Sequence, residues 1–347
     1  MDNSGLYKVL RIHAVQEEAP DFKTIVFENG HGIDYKAGQY LTLARFESGI
    51  EIRRSYSITS APVLNEPLSI GVKRVANGVF SRNLVDNSLP GDRLLTTGSG
   101  GFFVLPENVH TYHTLFFFAA GSGITPVFPL VKTALHLFAH LSVILVYSNA
   151  SIDKTVFQQP LQLLQIHYAN RLHIEWLFSN AADLSKAHLH RDLLLQLLHQ
   201  FGDPDWNNCL FYTCGPESYM RLCVYTLREQ GIHPDQIKKE TFHTAPLLKR
   251  DALPPDVTTH VAHIHIANHV YDVPVAFPDS ILKAAKKQGI NLPYSCEAGR
   301  CGNCVATCTS GNVWHSYNDV LTDTELKQGL MLTCVGHPVG GDVVLEI

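Results

Sequence analysis

Apolar and polar positions alternate in short runs from Tyr7 to about Leu105, as in Leu41-Thr42-Leu43-Ala44 and Leu68-Ser69-Ile70-Gly71-Val72, with turn residues between them. A period of two marks strands with one buried face, so residues 1–105 predict a small antiparallel β-barrel. From about His110 the runs become wholly apolar, at 115–119 and 143–147, and alternate with longer helical stretches at 126–139 and 192–200. Strands buried on both faces and joined by crossover helices read this way, which predicts a doubly wound α/β domain over residues 106–242. Residues 243–258 hold Pro246, Pro254 and Pro255 without periodicity, the texture of a linker. The remaining residues, 259–347, open with strand-like runs at 260–267 and 270–277, continue into an amphipathic helix at 279–288, and end in a cysteine-rich stretch, an α+β module.

The length of 347 residues suits two or three domains, and 45% hydrophobic against 17% charged residues gives each of them a core. With 27 Lys plus Arg against 32 Asp plus Glu, the net charge of −5 offers no footprint for a nucleic-acid backbone. Residues 1–10 carry no basic segment followed by an apolar run, and no stretch approaches the roughly 20 apolar residues that span a bilayer. The expectation is a cytoplasmic protein without a membrane or nucleic-acid partner.

Five of the eight cysteines crowd the last sixth of the chain: Cys296, Cys301, Cys304, Cys308 and Cys334. Gaps of four and then two residues separate the first three, and Cys334 follows Cys304 after 29 more, the plant-type spacing for a two-iron, two-sulfur cluster. Two irons need two thiolates each; a tight loop can wrap three and a distant strand supply the fourth. Gly299 and Gly302 let the loop's amides approach the sulfides. A four-cysteine zinc site is the alternative, but zinc modules favour two separated Cys-x-x-Cys pairs. Cys308 falls outside the pattern as an idle or buried thiol, and Cys209 and Cys223 read as small core residues.

Arg54-Ser55-Tyr56-Ser57, with Ser60 just beyond, closes a barrel strand with a cation, an aromatic face and hydroxyls, the groups that a flavin's phosphate, ring and N5 require. Alone, the run is equally an exposed strand end. Asn77-Gly78-Val79-Phe80-Ser81 precedes a short helix predicted at 82–86, whose free amides could hold a pyrophosphate or be capped in the ordinary way. Further on, Gly121-Ser122-Gly123-Ile124-Thr125-Pro126 follows a buried strand and opens a helix, and Cys214-Gly215-Pro216-Glu217 repeats the arrangement. Two glycine turns from strand to helix mark the crevice at the carboxyl ends of a doubly wound sheet. His136 and His140 could share one helix face, but no metalloprotease glutamate accompanies them.

In order and spacing these motifs, together with Gly38-Gln39-Tyr40, Gly91-Asp92 and Glu240-Thr241-Phe242, resemble the ferredoxin-NADP reductase superfamily. The resemblance is to the subgroup with a ferredoxin module fused at the C-terminus, most of all the reductase subunits of phenylacetyl-CoA oxygenases. It implies a β-grasp fold for residues 259–347, FAD in the barrel, NADH or NADPH in the α/β domain, and a two-iron cluster on Cys296, Cys301, Cys304 and Cys334. It further implies that Tyr56 packs on the flavin ring, Arg54 meets its phosphates, Ser57 approaches N5, and Ser60, Gly78 and Ser81 line the rest of the FAD site. Gly121, Gly123, Thr125, Pro126, Gly215, Pro216 and Phe242 would position the nucleotide and ring, with Ser57, Cys214 and Glu240 at the reacting centre. Two departures stand out: 98–101 reads Gly-Ser-Gly-Gly where relatives carry prolines, and Ala150 stands where they often place an Arg for the 2'-phosphate of NADPH.

The expected activity is electron transfer from NAD(P)H through FAD and the cluster to a protein acceptor, which an oxygenase, a desaturase or a haem protein could be. A redox sensor without turnover is the alternative. From Thr259 onward the chain has 5 Lys plus Arg against 8 Asp plus Glu, an acidic surface suited to a basic docking patch. The chain is expected to act as a monomer or weak oligomer.

Overall fold

The structure is a computed structural model that describes residues 7–48, 50–242 and 253–347. It divides into two compact units, Met1–Thr241 and Phe242–Ile347.

In the first unit, strands β1 (Lys8–Ala19), β2 (Phe22–Phe27), β3 (Tyr40–Glu47), β4 (Ile50–Ser57), β5 (Ser69–Lys73) and β6 (Arg93–Gly100) form a sheet in the order β4-β3-β6-β1-β2-β5. The pairings along it are antiparallel, and a bridge between Ile58 and Ile70 returns the last strand to the first. The alternation read from the sequence is what closes it: Leu10, Ile12, Ile25, Leu41, Leu43, Ile70 and Val72 fill the interior. Helix α1 (Val79–Asn87) plugs this core with Phe80, Leu84 and Val85.

Strands β7 (Thr114–Ala120), β8 (Ser142–Asn149), β9 (Leu172–Phe178), β10 (Cys209–Cys214) and β11 (Ile237–Glu240) form a parallel sheet in the order β11-β10-β7-β8-β9. Helices α2 (Ile124–Leu137), α3 (Gln158–His167), α4 (Arg191–Phe201) and α5 (Glu217–Glu229) complete this part. One face of the sheet is covered with α2 and α3, the other with α4 and α5. Burial on both faces explains the unbroken apolar runs. The strand order reverses between β7 and β10, so the turns after these two strands flank the switch point.

The second unit holds α6 (Ile281–Lys287), α7 (Asp323–Lys327) and a mixed sheet. Its strands are β12 (His260–Ile266), β13 (His269–Val275), β14 (Val305–His315), β15 (Leu330–Leu332) and β16 (Gly336–Glu346), in the order β13-β12-β16-β14-β15. Ile281, Leu282 and Ala285 of α6 pack on Ala262, Ile264, Val273 and Leu345. The expected linker, 243–258, falls for residues 243–252 outside the described residues. Asp256 binds into the module, accepting from the amides of Thr258 and Gly340 and pairing with His260.

Three local details differ from the sequence reading. The helix predicted at 82–86 begins earlier, at Val79, because Gly78 serves as its N-cap. Residues 98–100 end β6 rather than forming a turn. Helix α2 stops at Leu137, so His136 and His140 do not share a helical face.

Candidate functional site

Arg54, Tyr56 and Ser57 lie at the end of β4, where strand alternation puts Arg54 and Tyr56 on one side. Tyr56 is half-buried against Phe80, ring centroids 6.1 Å apart, so the strand end and the first turn of α1 meet. No side chain caps that turn, and a Cβ on Gly78 would stand 2.5 Å from Ser81 Oγ. Ser81 is buried; its hydroxyl donates to the Gly78 carbonyl and accepts from the Val75 amide. The Arg54 guanidinium is exposed and donates to the neighbouring Arg53 carbonyl at 2.7 Å. Ser60 is buried inside the barrel, its hydroxyl shared with Tyr35 and the Ser69 amide. An aromatic face, a cation and an uncapped helix start are thus gathered in a patch that fits a flavin with its phosphates.

The two glycine turns interlock. Gly121 takes φ +54°, a left-handed conformation with open space where its Cβ would be. A Cβ on Gly123 would sit 2.0 Å from the Cys214 carbonyl oxygen, and one on Gly215 would sit 2.9 Å from Ala120 Cβ. Tyr147 Oη donates to the Gly121 carbonyl from β8, and Thr125 Oγ1 donates to Ser122 O at 2.9 Å. Pro126 occupies the first turn of α2, and Pro216 caps α5. This cradle of backbone at the switch point fits a dinucleotide.

Cys214 and Glu240 are register partners on β10 and β11, and Ser57 Oγ donates to Glu240 Oε2 at 3.3 Å. The structure therefore brings Ser57, Cys214 and Glu240 together where barrel meets α/β domain. Glu240 is half-buried as a residue, and desolvation of its carboxyl pushes its pKa up to about 8. The Cys214 thiol is fully buried and held well above the usual range by the same cause, so it stays neutral. Phe242 is exposed and opens the second unit.

In that unit the four cysteines form two pairs. The sulfurs of Cys304 and Cys334 lie 3.2 Å apart, and those of Cys296 and Cys301 are hydrogen-bonded to one another. The Cys301 thiol and the amides of Arg300, Ala298 and Cys301 favour the Cys296 thiolate and pull its pKa below the usual thiol range. Gly299 and Gly302 take φ of +69° and +75°, and a Cβ on Gly299 would meet the Tyr317 carbonyl at 2.8 Å. Two thiolate pairs fit two irons, and the amide-lined loop fits bridging sulfides. Among the described residues no three His, Cys, Asp or Glu side chains converge on a single ion.

Gly71 also shapes this site. A Cβ there would lie 2.6 Å from Thr125 Cγ2 and 2.8 Å from Phe22, so the barrel can reach the nucleotide helix only without one. Nothing local in the sequence signals that contact.

Three family models match in order: an oxidoreductase FAD-binding domain at residues 8–104, an oxidoreductase NAD-binding domain at 117–224, and a 2Fe-2S iron-sulfur cluster binding domain at 264–339. The chain is 28% identical over 353 residues to the ferredoxin reductase component of 3-ketosteroid-9-alpha-monooxygenase from Rhodococcus rhodochrous, covering 97% of this chain and 96% of that one. It is 29% identical over 348 residues to one of the subunits of 1,2-phenylacetyl-CoA epoxidase from Escherichia coli, covering 97% and 96%. Among solved structures it resembles phthalate dioxygenase reductase, with a TM-score of 0.60, 21% identity and 99% of each chain covered. It also resembles an intact type IV self-sufficient cytochrome P450 monooxygenase, with a TM-score of 0.71 and 21% identity over 98% of this chain and 41% of that one.

Proposed function

The chain is an NAD(P)H oxidoreductase of the ferredoxin-NADP reductase superfamily with a C-terminal 2Fe-2S module, passing electrons to a protein acceptor, and from that premise we propose which residues do this work and what acceptor they serve. When bound, FAD would supply the exchange of a two-electron hydride for single electrons, which neither nicotinamide nor cluster can provide.

The hydrogen bond from Ser57 to Glu240 carries the assignment, because it joins the flavin strand to the strand beside Cys214. Ser57 holds its hydroxyl at the flavin edge. Glu240, protonated below about pH 8, keeps a proton in reach of Ser57 Oγ. Cys214, neutral and buried beside Glu240, would back the nicotinamide site without placing a charge there. Tyr56 would cover the flavin ring, Arg54 would meet its phosphates, and the first turn of α1 would hold the pyrophosphate. Gly121, Gly123, Thr125, Pro126, Gly215 and Pro216 form the nucleotide cradle. Cys296, Cys301, Cys304 and Cys334 would hold the two-iron cluster.

The acceptor we propose is the oxygenase component of a multi-component oxygenase, since relatives matched along their whole length carry names of that kind. Anaerobic mixing with NADH tests the reading: the flavin absorbance should bleach first and the electron paramagnetic signal of a reduced two-iron cluster should follow. A flavin that dithionite reduces but neither NADH nor NADPH does would refute it.

A further inference from the structure

Helix α2 starts at the glycine turn and runs back along the barrel, showing it Thr125, Phe128 and Lys132, positions spaced as one helical face. Thr125 meets the barrel at Gly71. Phe128 stacks on Phe157 at 4.5 Å, and Phe22 of the barrel packs edge-on to the same ring. Lys132, two turns on, is 7% exposed. Its ammonium lies over the Phe128 ring, donates to the Thr59 carbonyl at 3.2 Å, and pairs with the Glu66 carboxylate. The same Glu66 oxygen accepts from the Ala61 amide at 2.7 Å.

A buried ammonium is an expensive way to join two packed surfaces. A Met or Leu of similar volume avoids its desolvation and commonly packs as well or better. What the charge adds is direction: it fixes a carbonyl and a carboxylate at set distances where apolar contact would let the surfaces slide. The carbonyl it fixes belongs to Thr59, two residues beyond Ser57, and the helix that carries it begins at the nucleotide turn.

We propose that Lys132 and Glu66 are positioning residues that lock segment 57–61 of the flavin barrel to the nucleotide helix, setting the approach of hydride donor to acceptor. The inference rests on the reading of Ser57 and of the glycine turn given above. Hydride transfer is sensitive to such a lock, because misplacement on the ångström scale can cost about a hundredfold in rate.

The test compares wild type with Lys132→Met, Lys132→Arg and Glu66→Gln, each saturated with FAD. Hydrogen exchange at the Ala61 amide reads the lock without any turnover, and should speed up in Lys132→Met and stay slow in Lys132→Arg. Stopped-flow reduction by NADH and by NADH deuterated at C4 reads the consequence. The limiting rate of flavin reduction in Lys132→Met should fall about tenfold or more, with the deuterium isotope effect fully expressed and nucleotide affinity nearly unchanged; Lys132→Arg should recover most of the rate. If Lys132→Met fails to fold, Glu66→Gln, which removes the charge without changing size, carries the same expectations. Wild-type rates in flavin-loaded variants, with only a lower thermal midpoint, would reduce the pair to a structural contact and overturn the proposal. A wild type that neither NADH nor NADPH reduces would instead refute the underlying reading.

Discussion

Ser57 and Glu240 stand 183 residues apart in sequence, yet the serine hydroxyl donates to the Glu240 carboxyl at 3.3 Å across the junction of barrel and α/β domain. The contact makes the carboxyl the group whose protonation the junction feels. Its pKa is raised to about 8 by burial, so the folded chain binds a proton that the unfolded chain releases near the ordinary carboxylate pKa. Stability should therefore fall as pH rises from about 5 to 8, since the unfolded state holds fewer protons there. Thermal midpoints across that range should decline more steeply in wild type than in Glu240→Gln, and equal slopes would mean that Glu240 ionises normally.

Gly123→Ala should part the two turns, because its Cβ would fall 2.0 Å from the Cys214 carbonyl. Overpacking of this kind costs about 1–3 kcal/mol. The expected result is a lower thermal midpoint with a raised KM for NADH and retained flavin. An unchanged KM would exclude the turn from the nucleotide site.

Tyr56→Ala should lose flavin on dialysis, as stacking on an aromatic side chain contributes on the order of 1–3 kcal/mol by analogy with bases. Arg54→Ala should weaken retention by leaving a phosphate unpaired. Full flavin occupancy in both variants after dialysis would remove them from the site.

Much of this arrangement is legible along the chain, for physical reasons. Runs such as 115–119 announce buried parallel strands because both faces are covered, and the cysteine gaps follow from how a loop wraps two irons. Helix α1 starts earlier than its pattern suggests because Gly78, which reads as part of the preceding loop, acts as the cap. Ser60 reads as a flavin neighbour by spacing alone, whereas its hydroxyl is turned inward to Tyr35 and Ser69. Lys132 with Glu66, and Gly71 with Thr125, are tertiary contacts between separate lobes, and no local pattern encodes them.

Nucleotide preference should lean to NADH. Ala150 is exposed just beyond β8 and offers no cation to a 2'-phosphate, and Lys154 is the nearest basic side chain along that loop. Ala150→Arg should raise kcat/KM for NADPH. A wild-type preference for NADPH above about tenfold, or 1.4 kcal/mol in the transition state, would contradict the argument.

If electrons enter at the flavin and leave through the cluster, Cys334→Ser, which removes one of four cysteine sulfurs from a unit distinct from the flavin and nucleotide lobes, should cut the exit alone. With flavin bound, the variant should still reduce ferricyanide with NADH, because that small acceptor reaches the flavin, and should lose most reduction of cytochrome c. Retention of both activities would place the cluster off the route, and loss of both with flavin still bound would show that the cluster is not a separable exit.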